Sequence, residues 1–109
     1  MNTQENNKMI AEFMGSNLDG LEPFQYEDEL QYHKDWNWLM PVVEKIESID
    51  EEGFSYSIQV EYHSAVIWEH SDLQDSIRMI EVSGSNRFDA TYNAVVEFIN
   101  QYNKNESID

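Results

Sequence analysis

The sequence predicts an α+β domain in which helices pack against a small three-stranded antiparallel meander, in the order α-α-β-β-β-α. Apolar residues recur at helical spacing near both ends of the chain and in its middle. Between residues 54 and 85 the spacing changes to that of strands, and the short connections between them favour antiparallel pairing. Because 109 residues support one hydrophobic core but not two, residues 1–109 are treated as a single acidic domain, an α/β sandwich of helices on a sheet.

The first helix is predicted from Thr3 to Met14. Its apolar stripe consists of Met9, Ile10, Phe13 and Met14, and Gly15 stands where a left-handed residue would end the helix. From about residue 16 to residue 34 the helical spacing is lost in a connection that is rich in Asp and Glu and contains Gly20 and Pro23. Connections of more than about 12 to 15 residues without secondary structure are uncommon inside compact domains. We therefore expect this acidic connection to be variable and to face a partner.

The stretch DWNWLMPVVEKIES, from Asp35 to Ser48, predicts a second helix that is capped by the Asp35 side chain. Its buried face is predicted to consist of Trp36, Leu39, Val43 and Ile46. Residues two positions apart on a helix are separated by about 200°. Trp36 is therefore expected in the core and Trp38 near its edge. Pro41 removes a backbone donor, which predicts a bend or a start of the regular turns near this residue.

The clearest strand is FSYSIQVEYH, from Phe54 to His63, because it alternates between apolar and polar residues without interruption. Its buried face is expected to carry Phe54, Tyr56, Ile58, Val60 and Tyr62. Two further strands are predicted at 64–70 and 76–85, with apolar residues on both faces. The acidic stretch from Asp50 to Gly53 is predicted to be a turn before the sheet.

A last helix is predicted to begin after Ser85 or Asn86, either of which can cap it. Its apolar stripe is predicted to consist of Phe88, Tyr92, Val95, Ile99 and Tyr102. The tail after Asn103 is expected to fray.

The charge of the chain is its most unusual property, because 22 Asp and Glu stand against six Lys and Arg, a formal net charge of −16. Such a surface repels phosphate backbones and anionic lipids, which argues against direct binding of nucleic acid or membranes. A protein with a basic surface is the predicted partner, and an acidity that serves only solubility is weighed equally. The chain has no cysteine, and its N-terminus lacks a basic and apolar leader, so we expect a cytoplasmic protein.

The sequence contains none of the established catalytic motifs, which predicts that the protein is not an enzyme and needs no cofactor. Three weaker groups each have both a functional and a plain structural interpretation: a metal site of His63, His70, Glu61, Glu69 and Asp72, a base formed by His33 with Asp35, and an anion site at 83–87. Exposed strand residues explain the first group better, and helix caps explain the other two. No catalytic or metal-binding residue is predicted.

Three segments, IAEFMG, YHKDWNWLMPVVEKIES and ATYNAVVEFINQYN, resemble the phage ABA-sandwich domain family, a group of small uncharacterised proteins of phage and prophage genomes. The resemblance covers about half of the chain and implies an α/β sandwich and an origin in a mobile element. It implies no activity and no catalytic residue. The acidic segment from Ser16 to Glu29 has no counterpart in the family's pattern.

From these observations we predict a non-enzymatic interaction protein that binds, and in the phage setting inhibits, a host protein with a basic surface, such as a defence protein or a nucleic-acid enzyme. The predicted partner-binding residues are Glu27, Asp28, Glu29, Trp38, Asp50, Glu51 and Glu52. One alternative is a protein that sequesters a small ligand or nucleotide through Arg78, Arg87, Trp36 and Tyr92. The other is a phage structural module that forms a homo-oligomer through Trp38, Phe24 and Leu30.

Overall fold

The structure, a computed structural model, describes residues 3–16, 20–22, 25, 29–51, 53–71 and 76–107. These residues form an α+β domain, as the sequence predicts. Its helices are α1 (Thr3–Phe13), α2 (Trp36–Ser48) and α3 (Arg87–Ser107). Its strands are β1 (Asp50–Glu51), β2 (Phe54–Val60), β3 (Ser64–Ser71) and β4 (Ile77–Ser83). The helix α3 continues to Ser107, beyond the position where the sequence predicts fraying.

The helix α1 ends as its sequence predicts, in a left-handed glycine. Gly15 has φ 78°, its N–H donates to the Glu12 carbonyl at 3.0 Å, and the Ser16 N–H donates to the Ala11 carbonyl at 2.9 Å. These paired bonds are the Schellman motif, which satisfies carbonyl groups that the end of a helix leaves free. The Lys45 ammonium of α2 donates to the Phe13 carbonyl and lies 4.8 Å from the centre of the Phe13 ring. A cation at the negative end of the α1 dipole thus ties α1 to α2.

The sheet is antiparallel with strand order β1-β2-β3-β4, so the predicted meander is confirmed and one strand is added to it. The prediction of a turn at Asp50 and Glu51 is wrong, because these residues pair with Ser55 and Phe54 as an edge strand. Gly53, with φ 82°, makes the reversal between the two strands. A two-residue acidic strand cannot be recognised from the sequence, since Asp and Glu are poor strand formers. It is a strand here because it pairs with β2.

The strand β2 buries the face that its alternation predicts, but only in its middle. Tyr56, Ile58 and Val60 pack against the core, whereas Phe54 is 39% exposed. Tyr62 lies in the β2–β3 turn and is 61% exposed. The predicted burial of Phe54 and Tyr62 is therefore wrong, because the helical layer covers the centre of the strand and not its ends.

The prediction that Trp36 fills the core is also wrong. Trp36 is 42% exposed and Trp38 36% exposed, and the buried residues of α2 are Leu39, Val42, Val43 and Ile46. The Asp35 cap is confirmed, since its Oδ1 accepts from the Asn37 N–H at 2.8 Å, and the helix therefore begins at Trp36. Trp36 has the right angular position but stands in the first turn, where its ring meets Phe88 edge-on at 4.8 Å at the end of the helical layer. Pro41 lies inside the helix. Because proline has no N–H, the carbonyl four residues earlier, that of Asn37, receives no helical hydrogen bond from it, and Asn37 lies in the exposed first turn.

The helix α3 is capped by Asn86, whose Oδ1 accepts from the Asp89 N–H at 2.9 Å. Of the predicted stripe, Val95 and Ile99 are fully buried, while Phe88, Tyr92 and Tyr102 are only partly buried. The fully buried face also includes Ala90, Thr91, Ala94 and Phe98. The sequence missed this side because α3 contacts both the sheet and α1, so its apolar surface is wider than one stripe.

The end of the acidic connection belongs to the core, which corrects the interpretation of the whole segment as partner-facing. Leu30 and Tyr32 are buried, and burial raises the pKa of the Tyr32 phenol, partly offset by a hydrogen bond with Ser16. Because Leu30 is inside the domain, it is not available to the predicted oligomer surface. Phe24, the other residue of that surface in this segment, lies outside the described residues.

A buried asparagine anchors this segment. Asn7 is fully buried, and its Nδ2 donates to the Leu30 carbonyl and to His33 Nδ1, both at 2.9 Å. The Tyr92 hydroxyl of α3 donates to Asn7 Oδ1, also at 2.9 Å. Because an amide nitrogen cannot accept, His33 Nδ1 must be the unprotonated nitrogen of the ring. Three separate parts of the chain therefore meet at one side chain that the sequence analysis did not single out.

Gly84, between β4 and α3, is required by close packing. A Cβ at this position would lie 2.5 Å from the Ala90 backbone nitrogen, which belongs to the first turn of α3 and cannot move alone. We expect Gly84→Ala to lower the free energy of unfolding by about 1 to 3 kcal/mol, as overpacking does elsewhere. Urea unfolding followed by circular dichroism measures it, with Ser85→Ala, at an exposed neighbour, as the control. Equal stability of the two variants would show that the turn relaxes freely.

Candidate protein-binding surfaces

The helices cover one face of the sheet and leave the other open in the described part of the chain. The strand residues that pack into the core share one face: Tyr56, Ile58, Val60, Ala65, Ile67, Ile80 and Val82. The opposite face carries Ser57, Gln59, Val66, Trp68, His70, Arg78 and Glu81. None of these residues belongs to the core cluster. This second set, with Glu61 and Ser64 at the β2–β3 turn, is called the open face below.

A β-bulge determines which side chains meet on the open face. Ile67 pairs with Ile80, but the next residue, Trp68, pairs with Arg78, so Met79 is the extra residue of β4 and packs against the core. A bulge of this kind leaves one residue of the strand unpaired and changes the direction in which a neighbouring side chain points. Without the bulge, Trp68 would stand opposite Met79. The bulge therefore brings an arginine beside the indole.

Trp68 is held in place by its neighbours on both strands. The Trp68 Nε1–H donates to Gln59 Oε1 at 3.2 Å, and the Arg78 guanidinium carbon lies 5.4 Å from the centre of the indole ring, within cation–π range. Arg78 also donates to Glu81 Oε1 at 3.2 Å. The side chains of Arg78 and Glu81 are 53% and 59% exposed, so their ion pair is screened by water and weak.

Between these residues lies a shallow hollow of about 170 Å³. It is lined by Gln59, Glu61, Ser64, Val66, Trp68, Arg78 and Glu81. Among the described residues no side chain pairs with the Glu61 carboxylate, so the hollow holds the carboxylates of Glu61 and Glu81 against the single cation Arg78. Its charge is negative, and its floor is partly apolar through Val66 and Trp68.

A serine and a histidine meet farther along the open face. His70 Nε2 lies 2.7 Å from the Ser57 hydroxyl oxygen, and His70 Nδ1 lies 2.5 Å from that of Ser76. A nucleophile beside a base is the first element of hydrolytic chemistry. A catalytic triad, however, orients its histidine with a carboxylate, and in the described residues Ser76 stands in that place. We interpret the three side chains as a hydrogen-bonded row that joins β2, β3 and the residue before β4.

A second, more open groove of about 380 Å³ lies at the start of α3. It is lined by Trp36, Tyr62, Asn86, Arg87 and Phe88. Of the residues in the ligand-binding alternative, the structure brings Trp36 and Arg87 together here, whereas Arg78 lies on the open face and the Tyr92 hydroxyl is bound to Asn7. The four residues do not form one site. The Asn86 side chain caps α3, as predicted. It is therefore already engaged and does not form an anion site.

Of the predicted partner-binding residues, Trp38, Asp50 and Glu51 lie at or next to the two ends of α2. Trp38 stands at its start and packs edge-on against Tyr32 at 5.2 Å, while Asp50 and Glu51 follow its end and are exposed. Glu29 is exposed, and Glu27, Asp28 and Glu52 lie outside the described residues. The Tyr102 hydroxyl donates to the Glu51 carboxylate at 3.1 Å. Desolvation raises the pKa of Tyr56, and the carboxylates of Glu69 and Glu51 raise it further, so its phenol stays neutral.

The described histidines and carboxylates of the candidate metal site do not converge. His63 lies in the β2–β3 turn, and Glu69 and His70 point to opposite faces of β3. Asp72 lies outside the described residues, and within them no three His, Asp or Glu side chains are close enough to hold a metal ion.

No family model, curated protein or solved structure matches the chain. The resemblance to phage ABA-sandwich domains stays a prediction from the quoted segments. In the part of the chain that the structure describes, no helix is both long and apolar enough to cross a membrane.

Proposed function

We propose that the protein is a non-enzymatic binding module whose open face docks onto a protein with a basic surface. The observation that carries the proposal is Trp68, which lies on a sheet face that no described helix covers and lines a hollow with two carboxylates, Glu61 and Glu81, and one cation, Arg78. Tryptophan is among the residues most enriched at the energetic centres of interfaces. Carboxylates around it select a basic partner and repel nucleic acid, in agreement with the net charge of −16.

The resemblance to phage-encoded domains supports a partner in the host cytoplasm. A basic host protein, such as a nucleic-acid enzyme or a defence protein, would be inhibited if the acidic domain covered the surface on which it binds nucleic acid. Such inhibition needs no catalytic group in the domain. It needs complementary charge and an anchor that keeps the complex together.

The acidic residues that precede and follow α2 in the chain have a separate role in this proposal. Glu29, Asp50 and Glu51 are exposed and do not line the hollow, so we assign them the role of steering charges; Glu27, Asp28 and Glu52, predicted for the same role, lie outside the described residues. Trp68 is a better anchor than Trp38 because its indole N–H is already oriented by Gln59 and its surroundings carry the complementary charge. Trp38, which the sequence predicts as a partner-binding residue, is the tryptophan with which the contribution of Trp68 to binding is compared.

We expect association with such a partner, recovered from host lysate and identified, to depend steeply on salt. Raising the ionic strength from about 0.01 M to about 0.15 M shortens the Debye length from about 30 Å to about 8 Å. The association rate constant should fall by about tenfold or more. Trp68→Ala should instead raise the dissociation rate constant, and more than Trp38→Ala does.

Surface plasmon resonance over a salt series measures both rate constants. The double variant Glu61→Gln with Glu81→Gln is compared with Glu44→Gln and Glu97→Gln, which remove the same charge from exposed positions on the helices. Weaker binding only in the first pair supports docking through the open face. An association rate that ignores salt would mean that the acidity serves solubility alone and would remove the proposal.

A further inference from the structure

We infer that the hollow on the open face receives an arginine side chain of the partner, in the position that the chain's own Arg78 now holds. The inference rests on the proposed function, because it names the group of the basic partner that the open face recognises. Arg78 shows the geometry of recognition within one chain: a guanidinium over the Trp68 indole with a carboxylate, Glu81, as its counter-ion.

Arg78 is a weakly held occupant. Both members of its ion pair are more than half exposed, and an exposed pair of this kind contributes little to stability. Its side chain can therefore swing away without disturbing the core, and the hydrogen bond from Trp68 to Gln59 does not depend on Arg78. A competing guanidinium would meet an indole and a carboxylate that are already in place.

The charge of the hollow leaves room for one more cation. The carboxylates of Glu61 and Glu81 face it, and Arg78 is the single cation in its lining. An incoming arginine that displaces Arg78 would pair with Glu81 and would also bring a positive charge to Glu61, which has no partner among the described side chains. An anionic ligand would be repelled, because the two carboxylates outnumber the single arginine in the lining.

The size and walls of the hollow fit one long side chain. A cavity of about 150 Å³ holds a benzene molecule, and the hollow measures about 170 Å³. Val66 and Trp68 line it with apolar surface, on which the methylene stem of an arginine can lie while its charged end reaches the carboxylates. Arginine fits better than lysine, because a planar guanidinium stacks on an indole and binds carboxylates through two parallel donors.

The test uses a single residue as probe, N-acetyl-arginine amide, titrated into the ¹⁵N-labelled protein and followed by the indole N–H resonance of Trp68. We expect a saturable shift with a dissociation constant on the order of 1 mM, as suits one side chain. N-acetyl-lysine amide should bind several-fold more weakly. N-acetyl-citrulline amide, which has the same shape without the charge, should not shift the resonance.

Variants of the hollow separate displacement from simple attraction. Glu61→Gln should weaken binding of the arginine probe by about threefold or more, and Glu44→Gln, with the same loss of charge on α2, should not. Arg78→Met should strengthen binding by a similar factor, since it frees Glu81 and the indole face. Its control is Lys8→Met, which changes the net charge equally at an exposed position of α1.

Equal shifts with arginine and citrulline probes, or weaker binding in Arg78→Met, would overturn the inference. The proposed function fails separately. If a basic partner still associates in a salt-dependent manner while the arginine probe leaves Trp68 unmoved, the open-face hollow is not the anchor and the binding module stands. If the probe binds and no basic protein does, the proposed function falls.

Discussion

Replacing Phe98 by alanine is expected to lower the free energy of unfolding by about 3 to 5 kcal/mol, the usual range for an aromatic residue removed from a core. Phe98 is fully buried on the sheet side of α3. Its ring meets Tyr56 of β2 edge-on at 4.9 Å and stacks on Tyr102 at 5.8 Å. Alanine would leave a cavity between the helical layer and the sheet, where neither rigid element can close it. Urea unfolding followed by circular dichroism measures the loss.

The matched control for this variant is Phe54→Ala, which makes the same chemical change at the end of β2. Phe54 is 39% exposed, so its truncation removes less buried surface and is expected to cost about 1 kcal/mol. Similar losses in the two variants would contradict the placement of the core between α3 and the centre of the sheet.

Replacing Asn7 by leucine is expected to lower the free energy of unfolding by about 2 to 5 kcal/mol. Leucine has a similar size, but it leaves the Leu30 carbonyl, the Tyr92 hydroxyl and His33 Nδ1 without the partners that Asn7 supplies. An unsatisfied buried polar group costs about 1 to 3 kcal/mol. The expected loss is smaller than three such contributions added together, because polar groups near the surface can form hydrogen bonds with water instead. The same unfolding measurement detects it.

The control is Asn37→Leu, at an exposed position in the first turn of α2, where the change should stay within about 0.5 kcal/mol. Limited proteolysis adds a second measurement. In the Asn7 variant, cleavage near residues 30–34 should become faster, since the end of the acidic connection loses its anchor. A variant as stable as the control, with unchanged cleavage, would show that packing of Leu30 and Tyr32 alone holds this segment.

Elements whose determinants are local in sequence could be predicted residue by residue. The cap of α1 depends on one glycine placed after an apolar stripe, and Asp35 caps α2 through a neighbour two residues away. The middle of β2 follows from its alternation, because a strand with one buried face has only two ways to point its side chains. In these cases, the interactions that select the conformation are made between residues of the same helical turn or of the same strand.

The position of each element in the fold was decided elsewhere. Trp36 has the angular position of a core residue, yet it is exposed because the helical layer ends at the first turn of α2. Phe98 lies outside the predicted stripe, yet it is fully buried because α3 faces both the sheet and α1. Periodicity reports which side of an element is apolar, and it does not report where the neighbouring element stops.

The candidate site shows the same division. The sequence predicts apolar residues on both faces of the strand that carries Trp68, so it does not place Trp68 on an open face, and it names Arg78 only for the alternative ligand site. Their contact depends on the bulge at Ile67 and Trp68, and Glu61 and Glu81 join them through pairing of three strands. Such pairings are non-local, so no spacing in the sequence encodes them.

The sequence by itself determined that the chain is an acidic α+β domain with a formal net charge of −16 and that its helices begin and end at particular caps. Those properties come from composition and from interactions between residues a few positions apart. Only the tertiary structure decided that Asn7 joins α1, α3 and the acidic connection, that no described helix covers the second sheet face, and that Trp68 on this face meets Arg78 among carboxylates. These depend on register and on the extent of each packed layer, which are fixed when distant segments bury their surfaces together.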